Sequence, residues 1–246
     1  MEKIFGFVPI TIQDGQTEAF IEGARECHKA ALPDLTGTGA YEWFLAENGK
    51  DAYVIEIYDD PAAVAHHSKM MDGRVGKLKE IAEFKITFAG DVPEDMRAIM
   101  QKRLGAVEYV GPRAFGRLTD PAPHHTPPAG DERIYALAWF RPKPGQHETF
   151  RELARQSYDR ACELDPGTWG YEWFFDDDGN CVALDIYENP EAMLAHMANC
   201  GPIMGQIVQI VESKTIVFGN LPPEIESRLR PELGIIRYNR RLHGIV

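Results

Sequence analysis

The sequence lacks most of what metal and cofactor sites are usually made of. Its four cysteines, at 27, 162, 181 and 200, form no C-x-x-C pair and fall at unrelated spacings. There is no H-E-x-x-H and no pair of histidines four apart. His66 and His67 are adjacent, so on a helix their side chains would diverge. No metal is therefore expected, and scattered thiols of this kind fit reduced cysteines in a cytoplasmic protein. No glycine-rich turn offers a dinucleotide or phosphate cradle, so no cofactor is expected either. Basic residues are scarce: 26 Lys and Arg stand against 38 Asp and Glu, which argues against a nucleic-acid or anionic-membrane surface. The one basic cluster, Arg237 to Arg241, reads as local pairing with acidic neighbours. No window approaches the roughly 18 apolar residues of a membrane span, and the first residues show no secretory pattern.

What the chain has instead is repetition. Tyr41-Glu42-Trp43-Phe44 recurs as Tyr171-Glu172-Trp173-Phe174, 130 positions later. At the same offset Gly15-Gln16 matches Gly145-Gln146, Phe20 matches Phe150, and Gly49 matches Gly179. One residue is then lost. At offset 129, Ile57-Tyr58 matches Ile186-Tyr187, Pro61 matches Pro190, His67 matches His196 and Gly90 matches Gly219. This is a tandem duplication of a domain-sized unit: residues 1–110, a proline-rich linker over 111–131, and residues 132–246.

Each copy reads as strand, helix, strand, strand, helix, strand. Ile4–Ile12 and Ile134–Arg141 are rich in β-branched and aromatic residues and end at Asp14-Gly15 and Pro144-Gly145. The next helix carries Phe20, Ala24, Cys27 and Ala31 at helical spacing, and Phe150, Ala154, Ser157 and Ala161 in the second copy. Asn48-Gly49 and Asp178-Gly179 are hairpin turns. Asp60-Pro61 and Asn189-Pro190 are N-cap and first-turn pairs that start the second helix. Glu83–Ala89 and Glu212–Phe218 supply the fourth strand. An added helix and a short strand follow, Ala106–Val110 and Ile235–Tyr238, and each short strand is expected to extend the other copy's sheet. Helices on one face leave the other face bare, so the two sheets are expected to pack on each other.

The run Pro144-Gly145-Gln146, Tyr171-Glu172, Asp185-Ile186-Tyr187, Pro190-Glu191-Ala192 and Ala195-His196 resembles the antibiotic biosynthesis monooxygenase family. The first copy matches more loosely through Tyr41-Glu42, Glu56-Ile57-Tyr58, Pro61 and His67. The resemblance implies an α+β fold: two ferredoxin-like βαββαβ repeats packed sheet to sheet as a dimeric α+β barrel within one chain. It implies a cofactor-independent monooxygenase of a small aromatic or quinol, or else a non-catalytic barrel that binds a small hydrophobic molecule. The family's haem-degrading branch implies an asparagine on the first strand, a tryptophan on the second helix and an axial histidine ten residues later. Neither first strand holds an asparagine, His67 and His196 occupy the tryptophan position, and Lys77 and Gln206 stand ten residues on. Haem degradation is disfavoured.

The candidate catalytic residues are His67 and His196. Val64, His67 and Met71, like Met193, His196 and Cys200, share one helical face, which places each histidine toward the sheet. A histidine titrating near about 6.5 could take a proton from a phenol, whose anion is far easier for O₂ to oxidise. The structural alternative is a buried histidine bonded to its own sheet. Glu42, Glu56, Tyr58, Glu172, Asp185 and Tyr187 are the candidate substrate-binding groups, or else a network that satisfies buried polar atoms. Trp43 and Trp173 are core residues or stacking platforms. The expected partner is a small aromatic or hydrophobic ligand, and a homo-oligomer beyond the pseudo-dimer within one chain is left open.

Overall fold

The computed structural model describes residues 3–118, 132–229 and 235–243. In the first repeat the elements are β1 (Ile4–Ile12), α1 (Thr17–Ala31), β2 (Thr38–Leu45), β3 (Asp51–Tyr58), α2 (Pro61–Met71), α3 (Arg74–Lys79), β4 (Ala82–Phe84), β5 (Ile86–Ala89), α4 (Glu94–Leu104) and β6 (Val107–Tyr109). A strand β7 (Arg113–Leu118) follows. The second repeat holds β8 (Ile134–Pro142), α5 (His147–Leu164), β9 (Thr168–Phe175), β10 (Cys181–Tyr187), α6 (Pro190–Ile210), β11 (Val211–Phe218), α7 (Pro223–Glu226) and β12 (Ile236–Tyr238). The last described strand is β13 (Arg240–His243).

The chain divides into two compact units. The first has the strand order β13-β2-β3-β1-β5-β6, with β4 also paired to β1. The second has the order β12-β11-β8-β10-β9-β7. In both, the four core strands run second, third, first, fourth, which is the ferredoxin-like βαββαβ arrangement. The expected α+β class and the internal repeat are both present. Asp60 and Asn189 cap their helices as the sequence indicates, accepting from the backbone N–H of Ala63 and Ala192 at 2.8 and 2.9 Å.

The two copies differ where local chemistry differs. The fourth strand is interrupted at Lys85 in the first unit and continuous in the second. Lys85 donates its N–H to the carbonyl of Pro9, but Pro9 has no N–H to return. Its counterpart Trp139 keeps that donor and lies opposite Lys214 in an unbroken ladder. The second helix is likewise broken in the first unit, where Gly73 takes φ 79°, while α6 runs through Pro202 to Ile210.

The sequence reading misplaced the connections. The short strands β6 and β12 do not cross to the other repeat: β6 pairs in parallel with β5, and β12 lies beside β11. The strands that cross are the next ones along the chain. Strand β7, which the sequence reading left in the linker, pairs antiparallel with β9, and β13 pairs antiparallel with β2. Both cover the outer edge of the strand that carries the repeated Tyr-Glu-Trp-Phe. The rest of the proposed linker lies outside the described residues.

Each crossing strand delivers an arginine. Arg241 lies 3.3 Å from Glu42, and Arg113 lies 3.2 Å from Glu172. Both glutamates are 0% exposed. A glycine makes room for the second pair: Gly116 sits opposite Glu172, and a Cβ there would fall 2.1 Å from its carboxylate. Removing one partner of a buried pair is far more destabilising than replacing both. Arg113→Met should therefore lower unfolding stability by about 3 kcal/mol, while Arg113→Met with Glu172→Gln should recover part of that loss. Urea denaturation of the single and double variants checks this, and equal losses in the two would contradict it.

Candidate functional site

In each unit, strand alternation puts Tyr, Trp and the carboxylate of the third strand on the helix-covered face, and the glutamate of Tyr-Glu-Trp-Phe on the other. Tyr41, Trp43, Glu56 and Tyr58 line a cavity of about 210 Å³ in the first unit. Tyr171, Trp173, Asp185 and Tyr187 line one of about 270 Å³ in the second. An engineered void of about 150 Å³ holds benzene, so these have room for a small aromatic molecule. Glu42 and Glu172 line neither cavity; they face the arginines.

The two carboxylates on the cavity walls differ by one methylene, and the strand behind them compensates. Glu56 lies opposite Gly6, where a Cβ would come 2.7 Å from the carboxylate. The shorter Asp185 lies opposite Ala136. Burial raises both: Glu56 to about 7, tempered by a hydrogen bond from Tyr58, and Asp185 to about 6, tempered first by the charge of His196 and then by a hydrogen bond from Tyr187. Asp185 Oδ1 has no hydrogen-bond partner among the described residues.

The histidines occupy equivalent helical positions in different chemical states. His67 is buried against the rings of Tyr41 and Tyr58, with centroids 4.6 and 5.5 Å away. Its Nε2 is 3.8 Å from Glu56, too far for a hydrogen bond, and neither ring nitrogen has such a partner among the described residues. Burial lowers its pKa to about 4, so it is neutral. It stands behind the tyrosines and is not part of the cavity wall. His196 is part of its wall. Its Nδ1 donates to Asp165 Oδ2 at 2.9 Å. Burial alone would lower its pKa, but the hydrogen bond to Asp165, with help from Cys200 and Asp185, lifts it to about 10. Asp165 is held below the usual range despite burial, chiefly by His196 and Asn199.

Asp165 is the residue that sequence reasoning missed. It caps the C-terminus of α5, in the Asp165-Pro166-Gly167 break that reads from sequence only as a helix stop. Strand β7 fixes it: Arg117 donates to the carbonyls of Asp165 and Thr168, both at 2.7 Å. The first repeat has Leu35 at the matching position, so His67 has no such carboxylate. Cys200 follows His196 by four residues, a mixed His-x-x-x-Cys spacing that neither a histidine pair nor a cysteine pair reveals. Among the described residues Asp165, His196 and Cys200 form a group whose ligand atoms lie within 4.8 Å of one another.

Comparison with known proteins supports the fold. Residues 133–200 match the family model of the antibiotic biosynthesis monooxygenases, a span that includes Asp165, Asp185, Tyr187 and His196. A protein described as a candidate monooxygenase of Fusobacterium nucleatum superposes with a TM-score of 0.64 at 12% identity, covering 87% of this chain and 89% of its own. One from Lactobacillus acidophilus gives 0.57 at 17% identity, over 87% and 92%. No curated protein matches in sequence.

The opposite histidine states predict opposite pH effects. An unfolded histidine titrates near about 6.5. His196 therefore contributes stability that is complete below that pH and lost as pH rises through about 10. His67 stays neutral while the unfolded chain takes up its proton, so stability falls as pH drops from about 6.5 through about 4. Histidine-selective NMR titration should find His196 charged at pH 8 and His67 neutral at pH 5.5. Asp165→Asn should abolish the alkaline loss. A His196 resonance titrating near its unfolded value in the wild type would contradict this assignment.

Proposed function

We propose that the chain is a small-molecule oxygenase that uses O₂ on an aromatic hydroxyl compound, a phenol or quinol, in the cavity of its second unit. One juxtaposition carries the reading: an imidazolium held by a buried carboxylate shares an apolar cavity with a second carboxylate that has an unpartnered oxygen. Groups whose environments drive their pKa values apart are the usual sign of divided acid and base roles.

The assignment of roles follows from the charges. His196 is already protonated, so it does not serve as the free base that its position on the helix first indicates. With Nδ1 engaged by Asp165, Nε2–H is left to face a ligand oxygen and stabilise it as an anion. Such stabilisation is strong where water is excluded. Asp185, ionised at neutral pH, accepts the hydroxyl proton. The resulting phenolate is electron-rich enough to react with O₂. Tyr171 and Trp173 wall the ring, and Met193, Met197 and Met204 give the cavity an adaptable apolar side. In the first unit His67 is outside the cavity wall, and that cavity fits ligand holding without turnover.

Thermal-shift screening over phenols and quinols, followed by O₂ consumption with the best ligand, tests the reading. His196→Gln and Asp185→Asn should each slow turnover by roughly 10²–10⁴-fold while the protein stays folded. His67→Gln should leave the rate within a few fold of wild type. If His196→Gln and Asp185→Asn both retain the wild-type rate at saturating ligand, the assignment fails.

A further inference from the structure

We propose that Asp165, His196 and Cys200 form a binding site for one zinc-type divalent metal ion per chain. This goes beyond the oxidation reading and is exclusive of it at these atoms: an ion on His196 Nδ1 takes the place of the proton shared with Asp165, so the metal-bound chain has no imidazolium there.

His196 and Cys200 are four residues apart on α6 and project on one face, the spacing at which a helix presents two ligands to one ion. Asp165 approaches from the end of α5. Its Oδ2 is 2.9 Å from His196 Nδ1 and 3.8 Å from Cys200 Sγ. Tetrahedral zinc, with bonds of about 2.0–2.1 Å to nitrogen and oxygen and about 2.3 Å to sulfur, separates such atoms by about 3.3 and 3.6 Å. Both edges lie within about half an ångström of those values, and all three ligand atoms lie within 4.8 Å of one another, so side-chain adjustment would admit the ion. Imidazole, thiolate and carboxylate are a donor set that suits zinc.

The surrounding groups hold the carboxylate in the orientation a metal would need. Asn199 donates to Asp165 Oδ1, which leaves Oδ2 directed at the nitrogen and the sulfur. Outer groups of this kind are what fix ligand geometry in metal sites. All three ligands are buried, yet His196 and Cys200 border the cavity. That gives the ion a route in and leaves its fourth position for water or a ligand oxygen. The first repeat has Leu35 and Met71 at the positions of Asp165 and Cys200, so it lacks the set.

Cobalt is the probe. The full chain, reduced and stripped with chelator, is titrated with Co²⁺. The expected result is a thiolate-to-cobalt charge-transfer band with the visible spectrum of tetrahedral cobalt, saturating at one ion per chain and displaced by Zn²⁺. Cys200→Ser should lose the charge-transfer band, and Cys162→Ser, at the exposed cysteine, should keep it. Asn199→Ala, a milder change at a half-buried residue, should weaken cobalt binding tenfold or more if Cys200→Ser does not fold. Zinc should also raise the melting temperature of the wild type. No band at stoichiometric cobalt, a band that survives Cys200→Ser, or affinity unchanged by Asn199→Ala would overturn the proposal. None of these readouts uses turnover, so failure here leaves the oxidation reading to its own test.

Discussion

A carboxylate taken out of water must meet a cation or lose its charge, and this requirement organises both units. The repeated Tyr-Glu-Trp-Phe strand needs its tyrosine and tryptophan on the cavity side. A pleated strand then places the intervening glutamate on the opposite face, at full burial. An unpaired ion there would cost several kcal/mol even after relaxation. Arginines from β7 and β13 meet it. The same strands cover β2 and β9, which would otherwise be open sheet edges. In the second unit β7 does a further job, since Arg117 on it fixes the backbone of Asp165. The ion pair, the sheet edge and the candidate site are thus three consequences of one strand pairing.

Duplication left two copies of the same pocket, and small differences drove them to different chemistry. His67 and His196 sit at equivalent positions, against matching pairs of tyrosines, Tyr41 and Tyr58 in one unit and Tyr171 and Tyr187 in the other. A carboxylate at the end of α5 makes one an imidazolium, and a leucine at the matching place leaves the other neutral. The wall carboxylates diverged in a compensated way: a longer side chain faces glycine, and a shorter one faces alanine. Exchanges of that size are tolerated because the side-chain volume lost on one strand is returned on its neighbour, and a carboxylate stays on the wall in both copies.

Much of the fold was legible from residues alone. The offset of the repeat, the helix caps at Asp60 and Asn189, the Asn-Gly and Asp-Gly turns and the buried helix faces are all local signals, carried by residues a few positions apart. The cavity walls were partly legible for the same reason. Two-residue alternation puts Glu56 with Tyr58, and Asp185 with Tyr187, on one face, and helical spacing turns His67 and His196 toward the sheet. The roles of Glu42 and Glu172 were not legible, because alternation shows that they face away from Tyr41 and Tyr171 but not what they meet there.

The sequence by itself determined the repeat, the order of elements and the faces on which the chemical groups stand, since each depends on backbone geometry over a turn or a pleat. Tertiary structure alone decided which strand lies beside which, and with it the partners of the buried charges. Arg113 and Glu172 are 59 residues apart, and Asp165 and His196 are 31 apart. No period links such residues. Their encounter depends on chain crossing and loop closure, and the charge state of His196 follows from it.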